Sequence, residues 1–148
     1  MSDAEREHIM AKELPRYDST PFVLGPPVTG RRVALVTTAG LHRTDDDAFS
    51  FVDLSYRVIR GDADLGSLTM THSSVRFDRS AFREDVNTVF PLERLRELAA
   101  DGVIASVADR HYSLMGAGWP PAMIGSTCEQ LARMLKADGV TAVCLVPV

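Results

Sequence analysis

Hydrophobic residues in the first half of the chain form short, continuous runs separated by polar segments. The run Val33–Thr38 is rich in β-branched residues and too short for a helix, so it predicts a core strand. Further short strands are predicted at Ser55–Ile59 and Leu68–His72, while the polar segment Leu41–Phe49 is predicted to be a loop. This half of the chain therefore indicates strands without intervening long helices.

The second half shows one pattern twice, a helical stripe followed by an apolar run. A helix predicted at Leu92–Asp101 precedes a strand at Val103–Val107, and a helix at Thr127–Asp138 precedes a strand at Val140–Val146. Both junctions read Ala-Asp-Gly-Val, in which glycine supplies the left-handed stop of the helix. The apolar stripe of the second helix consists of Cys128, Leu131, Met134 and Leu135.

Helix followed by continuous apolar strand predicts a mainly parallel sheet with helices on its faces. We expect one three-layer Rossmann-like or flavodoxin-like α/β domain over residues 31–148, with the last strand buried inside it. Residues 1–30 are expected to lie outside this domain, as a short polar helix from Ser2 to about Glu13 and an extended arm, Pro15–Gly30, with four prolines and two glycines.

Composition excludes several classes of function. The chain has 148 residues and a net charge of −4, which does not favour nucleic acid or an anionic membrane as a partner. No apolar run approaches the roughly 20 residues that span a bilayer, and the N-terminus lacks the pattern of a signal peptide. Two cysteines outside any paired motif suit reduced thiols, so we expect a cytoplasmic protein.

Standard cofactor and metal motifs are absent from the sequence. There is no Gly-rich dinucleotide fingerprint and no P-loop, and the four histidines have no metal-ligand spacing, so no metal is expected. Cys128 is predicted in a first helical turn, where the helix dipole can lower a thiol pKa and create a nucleophile. The preferred interpretation is core packing along its apolar stripe, and the same holds for Cys144 within its strand.

Candidate ligand-binding residues follow the predicted strands. Thr37, Thr38, His72 and His111 are expected to cluster at the carboxyl end of the sheet, where open α/β sheets bind ligands. Arg110 can bind a carboxylate in a bidentate manner. For Asp85 and Asn87, which precede the helix that begins near Pro91, we slightly favour local turn and capping roles over contact with a ligand in the same crevice.

Several stretches, in order and from about Pro21 onward, carry a resemblance to a known family. They are Val33–His42, Ser55–Ile59, Leu68–His72, Asp85–Leu95, Gly102–Ile104, Arg110–Tyr112, Met115–Gly116 and Ala132–Pro147. Together they resemble the selenoprotein B family of glycine, sarcosine, betaine and D-proline reductases, and most of all its short, D-proline-reductase-like branch. The stretch Asp-x-Asn-x-x-Phe-Pro-Leu-x-Arg-Leu is the most distinctive of them.

The resemblance implies reductive cleavage of a C–N bond in an amino acid or its N-methylated derivative. It implies a pyruvoyl group on a partner subunit, a selenolate that attacks the α-carbon, and thiols that resolve the product. In the short relatives the strand matching Leu145–Val148 leads directly into the reactive selenocysteine or cysteine. We therefore expect the nucleophile just after Val148, a selenocysteine codon read as a stop, and an inactive 148-residue form.

Two other hypotheses remain at this stage. One is a non-catalytic paralogue that binds a small amino-acid-like ligand or a partner chain at the same crevice. The other is an enzyme that uses Cys128 in place of the missing nucleophile. A sequence that ends at an apolar strand, without the helix that normally follows, is expected to leave part of a sheet face or a helix groove uncovered, which predicts a homo-oligomer.

Overall fold

The computed structural model describes residues 2–11, 18, 23–51, 53–74, 77–117 and 121–148. The described helices are α1 (Asp3–Met10), α2 (Ser80–Glu84), α3 (Leu92–Ala100) and α4 (Pro121–Ala137). The described strands are β1 (Arg32–Thr37), β2 (Leu41–Arg43), β3 (Tyr56–Arg60), β4 (Leu68–Met70), β5 (Ser106–Val107), β6 (Arg110–Leu114) and β7 (Ala142–Val146). Short 3-10 turns are formed by Val28–Gly30, Leu65–Ser67 and Val86–Thr88. The predicted mixture of helices and strands is confirmed.

Strand β1 is the centre of a five-stranded, mainly parallel sheet. On one side β5 pairs with its first residues and β6 with its last, both in parallel. On the other side β7 runs parallel to β1, with Val33 opposite Ala142 and Thr37 opposite Val146. Only β3, antiparallel to β6, breaks the pattern. Each of these parallel pairs joins residues far apart in sequence, as parallel pairing requires.

Helices cover both faces of this sheet. On one face α3 contributes Leu92 and Leu95 to a core with Val33, Leu35 and Ile59. On the other face α4 places Leu131 against Tyr112 and Leu114 of β6. A mixed α/β domain is therefore present. The finer expectation of a Rossmann-like or flavodoxin-like topology does not follow from this strand order, which includes an antiparallel β3.

The repeated Ala-Asp-Gly-Val motif forms the same cap at both helix ends. Gly102 (φ 72°) and Gly139 (φ 68°) adopt the left-handed conformation that side-chain-bearing residues avoid. After α3 the N–H of Val103 donates to Leu98 O at 2.9 Å, and after α4 the N–H of Val140 donates to Leu135 O at 3.0 Å. These six-to-one bonds are Schellman motifs, so the predicted helix stops are confirmed.

Three strand predictions differ from the structure. The run Leu68–His72 does not join the main sheet, because β4 pairs antiparallel with β2 in a separate two-stranded sheet. Strand β2 begins inside the segment Leu41–Phe49, which was predicted to be a loop. The run Val103–Val107 is strand only at Ser106–Val107, since residues 103 and 104 are used to close the cap of α3.

Helix α4 begins at Pro121, six residues before the predicted start at Thr127. Cys128 is therefore not in the first turn of the helix, where the sequence predicted it. The stripe is only partly correct, because Leu131 is buried whereas Cys128 is exposed.

The prediction of a buried terminal strand is wrong. Strand β7 pairs with β1 alone and forms one edge of the sheet among the described residues. Val143 is 40% exposed and Leu145 70% exposed, because α4 packs on β6 and leaves this face of β7 uncovered. Cys144, predicted to be a core residue, is also exposed.

The N-terminal helix is confirmed as α1. Ser2 caps it, since its Oγ accepts the N–H of Glu5 at 3.3 Å and its own N–H donates to the Glu5 carboxylate at 2.8 Å. The predicted end of this helix, at about Glu13, lies outside the described residues. Most of the predicted arm lies outside them as well. In the described part of the arm, Val23 and Leu24 are fully exposed. No helix within the described ranges is long and apolar enough to cross a bilayer.

Candidate functional site

The carboxyl end of the central strands is organised around Thr38. Its hydroxyl accepts the N–H of Val148 at 2.8 Å and lies 3.4 Å from Val148 O. Its backbone N–H donates to Val146 O at 3.1 Å, and its carbonyl accepts the N–H of Gly116 at 3.0 Å. Thr38 therefore ties the ends of β6 and β7 to the end of β1.

Gly116 permits this close approach because it has no side chain. A Cβ at this position would lie 2.6 Å from the Cβ of Thr38 and 2.8 Å from its carbonyl oxygen. Gly40, on the other side of Thr38, has a positive φ of 64°, and a Cβ there would lie 2.9 Å from Thr71 O. Both glycines are thus required by the geometry of this end of the sheet.

His72 lies beside this region, in the loop that follows β4. The next residue, Ser73, contacts the sulfur of Met115 through its N–H at 3.3 Å, and Met115 precedes Gly116. The His72 ring is buried, and its Nδ1 accepts the N–H of Ser74 at 3.2 Å, so Nε2 carries the proton. That N–H has no partner among the described residues. Burial, and secondarily the charge of Arg79, lowers the pKa of His72, so the ring is a neutral donor.

His111 does not follow a strand at its carboxyl end, as the sequence led us to expect. It lies within β6, opposite Ile59 of β3, and its Nδ1 accepts the N–H of Leu35 at 2.9 Å. The ring is fully buried with its edge against Phe90, and burial lowers its pKa to about 4. Between the residues of β1 that pair with β5 and those that pair with β6, the imidazole supplies the acceptor for the Leu35 N–H.

Arg110 and Thr37 also have partners within the protein. Arg110 is the first residue of β6, at the amino end of the sheet, and its Nε donates to Asp138 at 2.9 Å. It is therefore at the opposite end of β6 from Thr38. The fully buried Thr37 hydroxyl accepts the N–H of Ala39 at 3.2 Å.

Asp85 and Asn87 line an open cleft of about 390 Å³ whose floor includes Leu65, Leu68 and Phe82. Asp85 accepts the N–H of Asn87 at 2.8 Å and so caps the 3-10 turn Val86–Thr88. The Asn87 amide then donates to Glu93 at 2.8 Å, at the start of α3. These contacts are the capping interactions that the sequence favoured, and they do not involve Thr38 or His111.

The structure therefore distributes the predicted residues over several places. Thr37 and Thr38 lie at the carboxyl end of β1 with His72 in the adjoining loop, whereas His111, Arg110 and the Asp85–Asn87 pair lie elsewhere. Gly40 and Gly116 lie in stretches that carry the family resemblance but were not predicted as site residues, because a glycine needed for close approach has no local pattern that distinguishes it. Within the described ranges no group of three or more His, Cys, Asp or Glu residues could hold a metal ion.

Comparison with known proteins gives consistent matches. The family model described as glycine/sarcosine/betaine reductase selenoprotein B matches residues 18–148. The gamma subunit of D-proline reductase from Acetoanaerobium sticklandii is 36% identical over 132 residues, which cover 85% of this chain and 54% of that subunit. No solved structure matches the chain.

Two further relatives are components of larger complexes. The glycine reductase complex component B subunit gamma from Carboxydothermus hydrogenoformans is 31% identical over 76% of this chain. The sarcosine reductase complex component B subunit beta from Peptoclostridium acidaminophilum is 30% identical over 77% of it. The chain spans about half the length of the D-proline reductase subunit and about a quarter of the other two (27% each). Because the family model covers most of the sequence, the chain belongs to the glycine/sarcosine/betaine reductase selenoprotein B family.

Proposed function

We propose that this chain is part of a reductase subunit that acts in the reductive cleavage of a C–N bond of an amino acid or N-methylated amino acid. The observation that carries the proposal is the family match over residues 18–148. In such a cleavage the carbon gains a hydrogen, the nitrogen leaves as an amine, and a dithiol supplies two electrons and two protons as it becomes a disulfide. The relatives named for glycine, sarcosine and D-proline define the class of substrate to be tested.

We place the site at the carboxyl end of β1 and β7. The contact between the Thr38 hydroxyl and the backbone of Val148 supports this placement, because it fixes the position from which a following residue would extend. A selenocysteine or cysteine directly after Val148 would supply the nucleophile. Such a nucleophile requires a fixed backbone, since small displacements of a reacting group reduce the rate strongly.

Among the predicted ligand-binding residues, His72 has the most suitable chemistry for this site. Its Nε2–H is a neutral, buried donor without a partner among the described residues, so it can bind a carboxylate oxygen of an amino acid. Thr37 and Thr38 would orient the ligand indirectly, because their hydroxyls hold the backbone at the carboxyl end of β1. Arg110, Asp85 and Asn87 have partners within the fold, and we assign them supporting roles. His111 also has an Nε2 without a partner among the described residues, but its Nδ1 is used by the Leu35 N–H inside the sheet, so we assign it a supporting role too.

The proposed partner is a subunit that bears a pyruvoyl group, as the family resemblance implies. That group would supply the electrophilic carbonyl that activates the substrate amine. The relatives named as complex components support a partner subunit of some kind. We further propose a cytoplasmic location, where thiols remain reduced.

The decisive experiment measures dithiol-dependent cleavage of D-proline, glycine, sarcosine and betaine. It compares the 148-residue chain with a form continued by the in-frame segment that follows Val148, each mixed with the pyruvoyl-bearing partner. We expect activity only from the continued form, and a serine in place of its selenocysteine or cysteine should abolish it.

Two results would contradict the proposal. Cleavage by the 148-residue chain alone would show that the nucleophile lies elsewhere, with the exposed Cys128 as the first residue to test. Absence of any in-frame coding sequence beyond Val148 would instead favour the non-catalytic paralogue. In that case binding of the same amino acids, measured by calorimetry, would be the expected activity.

A further inference from the structure

A hydrogen bond between two side chains links β2 to the residue that follows β4. Nε2 of His42, in β2, lies 2.8 Å from the hydroxyl of Thr71. Nδ1 of the same ring lies 2.8 Å from the carbonyl oxygen of Arg43. A carbonyl oxygen only accepts, so Nδ1 carries the proton and Nε2 accepts the hydrogen of the Thr71 hydroxyl. Both ring nitrogens of His42 are therefore used within the fold.

This bond reaches past the paired residues of the two strands. In the register of β2 and β4, His42 lies opposite Thr69. Its ring is bonded to Thr71, two residues further along the chain, and Thr71 directly precedes His72. The contact therefore fixes the chain immediately before the buried His72 ring, whose Nε2–H has no partner among the described residues.

Backbone contacts hold the same short segment. The N–H of Thr71 donates to Gly40 O at 3.0 Å, and the guanidinium of Arg79 donates to His72 O. The N–H of Ser74 donates to Nδ1 of the His72 ring at 3.2 Å. The orientation of a side chain is fixed only while the backbone that carries it is fixed, so the direction of the His72 Nε2–H depends on these contacts and on the Thr71 hydroxyl.

The His42 ring is held in turn by the segment that precedes β3. It meets the buried ring of Phe49 edge to face, with centroids 6.3 Å apart. The guanidinium of Arg57 lies 4.3 Å from the centroid of the Phe49 ring and forms a salt bridge of 3.1 Å with Asp53. The side chains of Arg57 and Asp53 are only 12% and 14% exposed, so this support is itself largely buried. These contacts restrict rotation of His42 away from Thr71.

We propose that His42 is a positioning residue for His72. Through the Thr71 hydroxyl it keeps the His72 ring in one orientation and one tautomer, with Nε2–H free for the carboxylate of the ligand. The inference rests on the proposed function for the role of His72, and it adds the side chains that hold this donor in place. A donor that is aligned before binding avoids the cost of being ordered when the ligand arrives.

The first test removes the hydroxyl while keeping the shape of the side chain. In Thr71→Val the His72 ring should sample both tautomers, so the nitrogen-15 resonances of its Nδ1 and Nε2 should move toward each other. The amide of Ser74 should exchange hydrogen about fivefold faster, because its acceptor is no longer fixed. Thr71→Ser retains the hydroxyl and should restore the wild-type resonances and exchange.

His42→Phe removes the acceptor from the other side of the bond and retains a ring. It should change the His72 resonances as Thr71→Val does, and the double variant should show no further change, because the two residues act through one contact. Thr69→Val is the matched control, since the same substitution is made opposite His42 at a residue to which the ring does not bond. It should leave the His72 resonances unchanged.

One result would overturn the proposal directly. If Thr71→Val lowers the temperature of unfolding but leaves the His72 resonances as they are in the wild type, the bond only joins the strands. The same conclusion would follow if Thr69→Val changed those resonances as much as Thr71→Val does.

The second test measures kinetics with the continued form and its partner subunit. Thr71→Val should raise KM for the amino acid about fivefold and change kcat by less than about twofold, because a contact to the carboxylate is weakened equally in the ground and transition states. A fall in kcat at constant KM would contradict the proposal. Absence of cleavage by the wild type would overturn the proposed function, whereas the His72 resonances of the 148-residue chain would still decide the role of His42.

Discussion

The N–H of Leu35, in the middle of β1, donates to Nδ1 of His111 and not to a carbonyl of a neighbouring strand. Strands β5 and β6 approach β1 from the same side, and the chain between them leaves a gap in the ladder at this point. The imidazole fills the gap, so a side chain supplies an acceptor that the backbone lacks. Such an acceptor must stay unprotonated to function.

The first prediction concerns the pH dependence of stability. The folded-state pKa of His111 is about 4, below the ordinary value of 6.5. Between these values the unfolded chain binds a proton that the folded chain does not, so stability falls as pH decreases through this window. From pH 6.5 to 4.5 the loss due to His111 is about 2 kcal/mol.

Urea unfolding at pH 7 and 4.5 measures this loss, with His111→Asn as the comparison. Asparagine offers an acceptor without titrating, so the variant should lose less stability than the wild type over the same interval. His72 has a lowered pKa too, but it contributes equally to both proteins. Equal losses in the two proteins would contradict the assignment to His111. His111→Leu should cost about 1 to 3 kcal/mol at pH 7, because the Leu35 N–H is left unsatisfied.

The second prediction concerns the Thr38 hydroxyl. Thr38→Val removes the acceptor of the Val148 N–H, at a cost of about 1 kcal/mol, so the amide of Val148 should exchange about fivefold faster. Thr38→Ser keeps the hydroxyl and should restore slow exchange. Thr141→Val is the matched control, because the Thr141 hydroxyl accepts the N–H of Arg32 at 2.9 Å at the opposite end of β7. Faster exchange of Val148 in this control as well would indicate general loosening of the strand.

The third prediction compares two glycines with positive φ. Gly40→Ala meets both a disfavoured φ and a contact of 2.9 Å with Thr71 O. It should therefore destabilise the fold by about 2 kcal/mol, roughly half from backbone strain and half from the clash. Gly102→Ala has a similar φ and no atom within 4 Å, so only the strain of about 1 kcal/mol applies. Thermal unfolding of both variants measures the difference. Equal losses would show that the contact with Thr71 is not rigid.

The fourth prediction concerns the two neighbouring residues of β3 that face opposite sides of the sheet. Ile59 is fully buried in the core beside Leu35, so Ile59→Ala should cost about 2 to 5 kcal/mol. Val58 is 36% exposed, and Val58→Ala should cost less than about 1 kcal/mol. Denaturant unfolding distinguishes them. Similar values would mean that β3 is shifted by one residue relative to β6.

Sequence alone predicted the elements that are governed by local chemistry. The stops at Gly102 and Gly139 follow from an Ala-Asp-Gly-Val motif whose glycine adopts a conformation that few other residues adopt. Strand β1 follows from a β-branched run too short for a helix. Long-range pairing was not predicted: nothing local to Leu68–Met70 indicates that it pairs with Leu41–Arg43, since each segment is only three residues long.

The same reasoning explains the outcome for the candidate site. Thr37 and Thr38 were placed at a strand end because β1 was recognised, and the structure confirms that position. His111 was misplaced because β6, which starts at Arg110 with mostly polar residues, lacks the apolar run that identifies a strand. Exposure of Cys144 depends on which strands flank β7, and that is a property of the whole sheet that periodicity does not encode.

The central position of β1 also has a consequence for synthesis on the ribosome. The bond from Leu35 spans 76 residues and the bond from Thr38 to Val148 spans 110, so the innermost strand is made long before its partners. While β6 and β7 are still being translated, the apolar segment Val33–Val36 has no partner strand to bond to. Pairing across such long loops is slow, because the loop must be closed before the contacts form. The hydrogen-bond ladder of β1 can therefore be completed only after β6 and β7 have been synthesised.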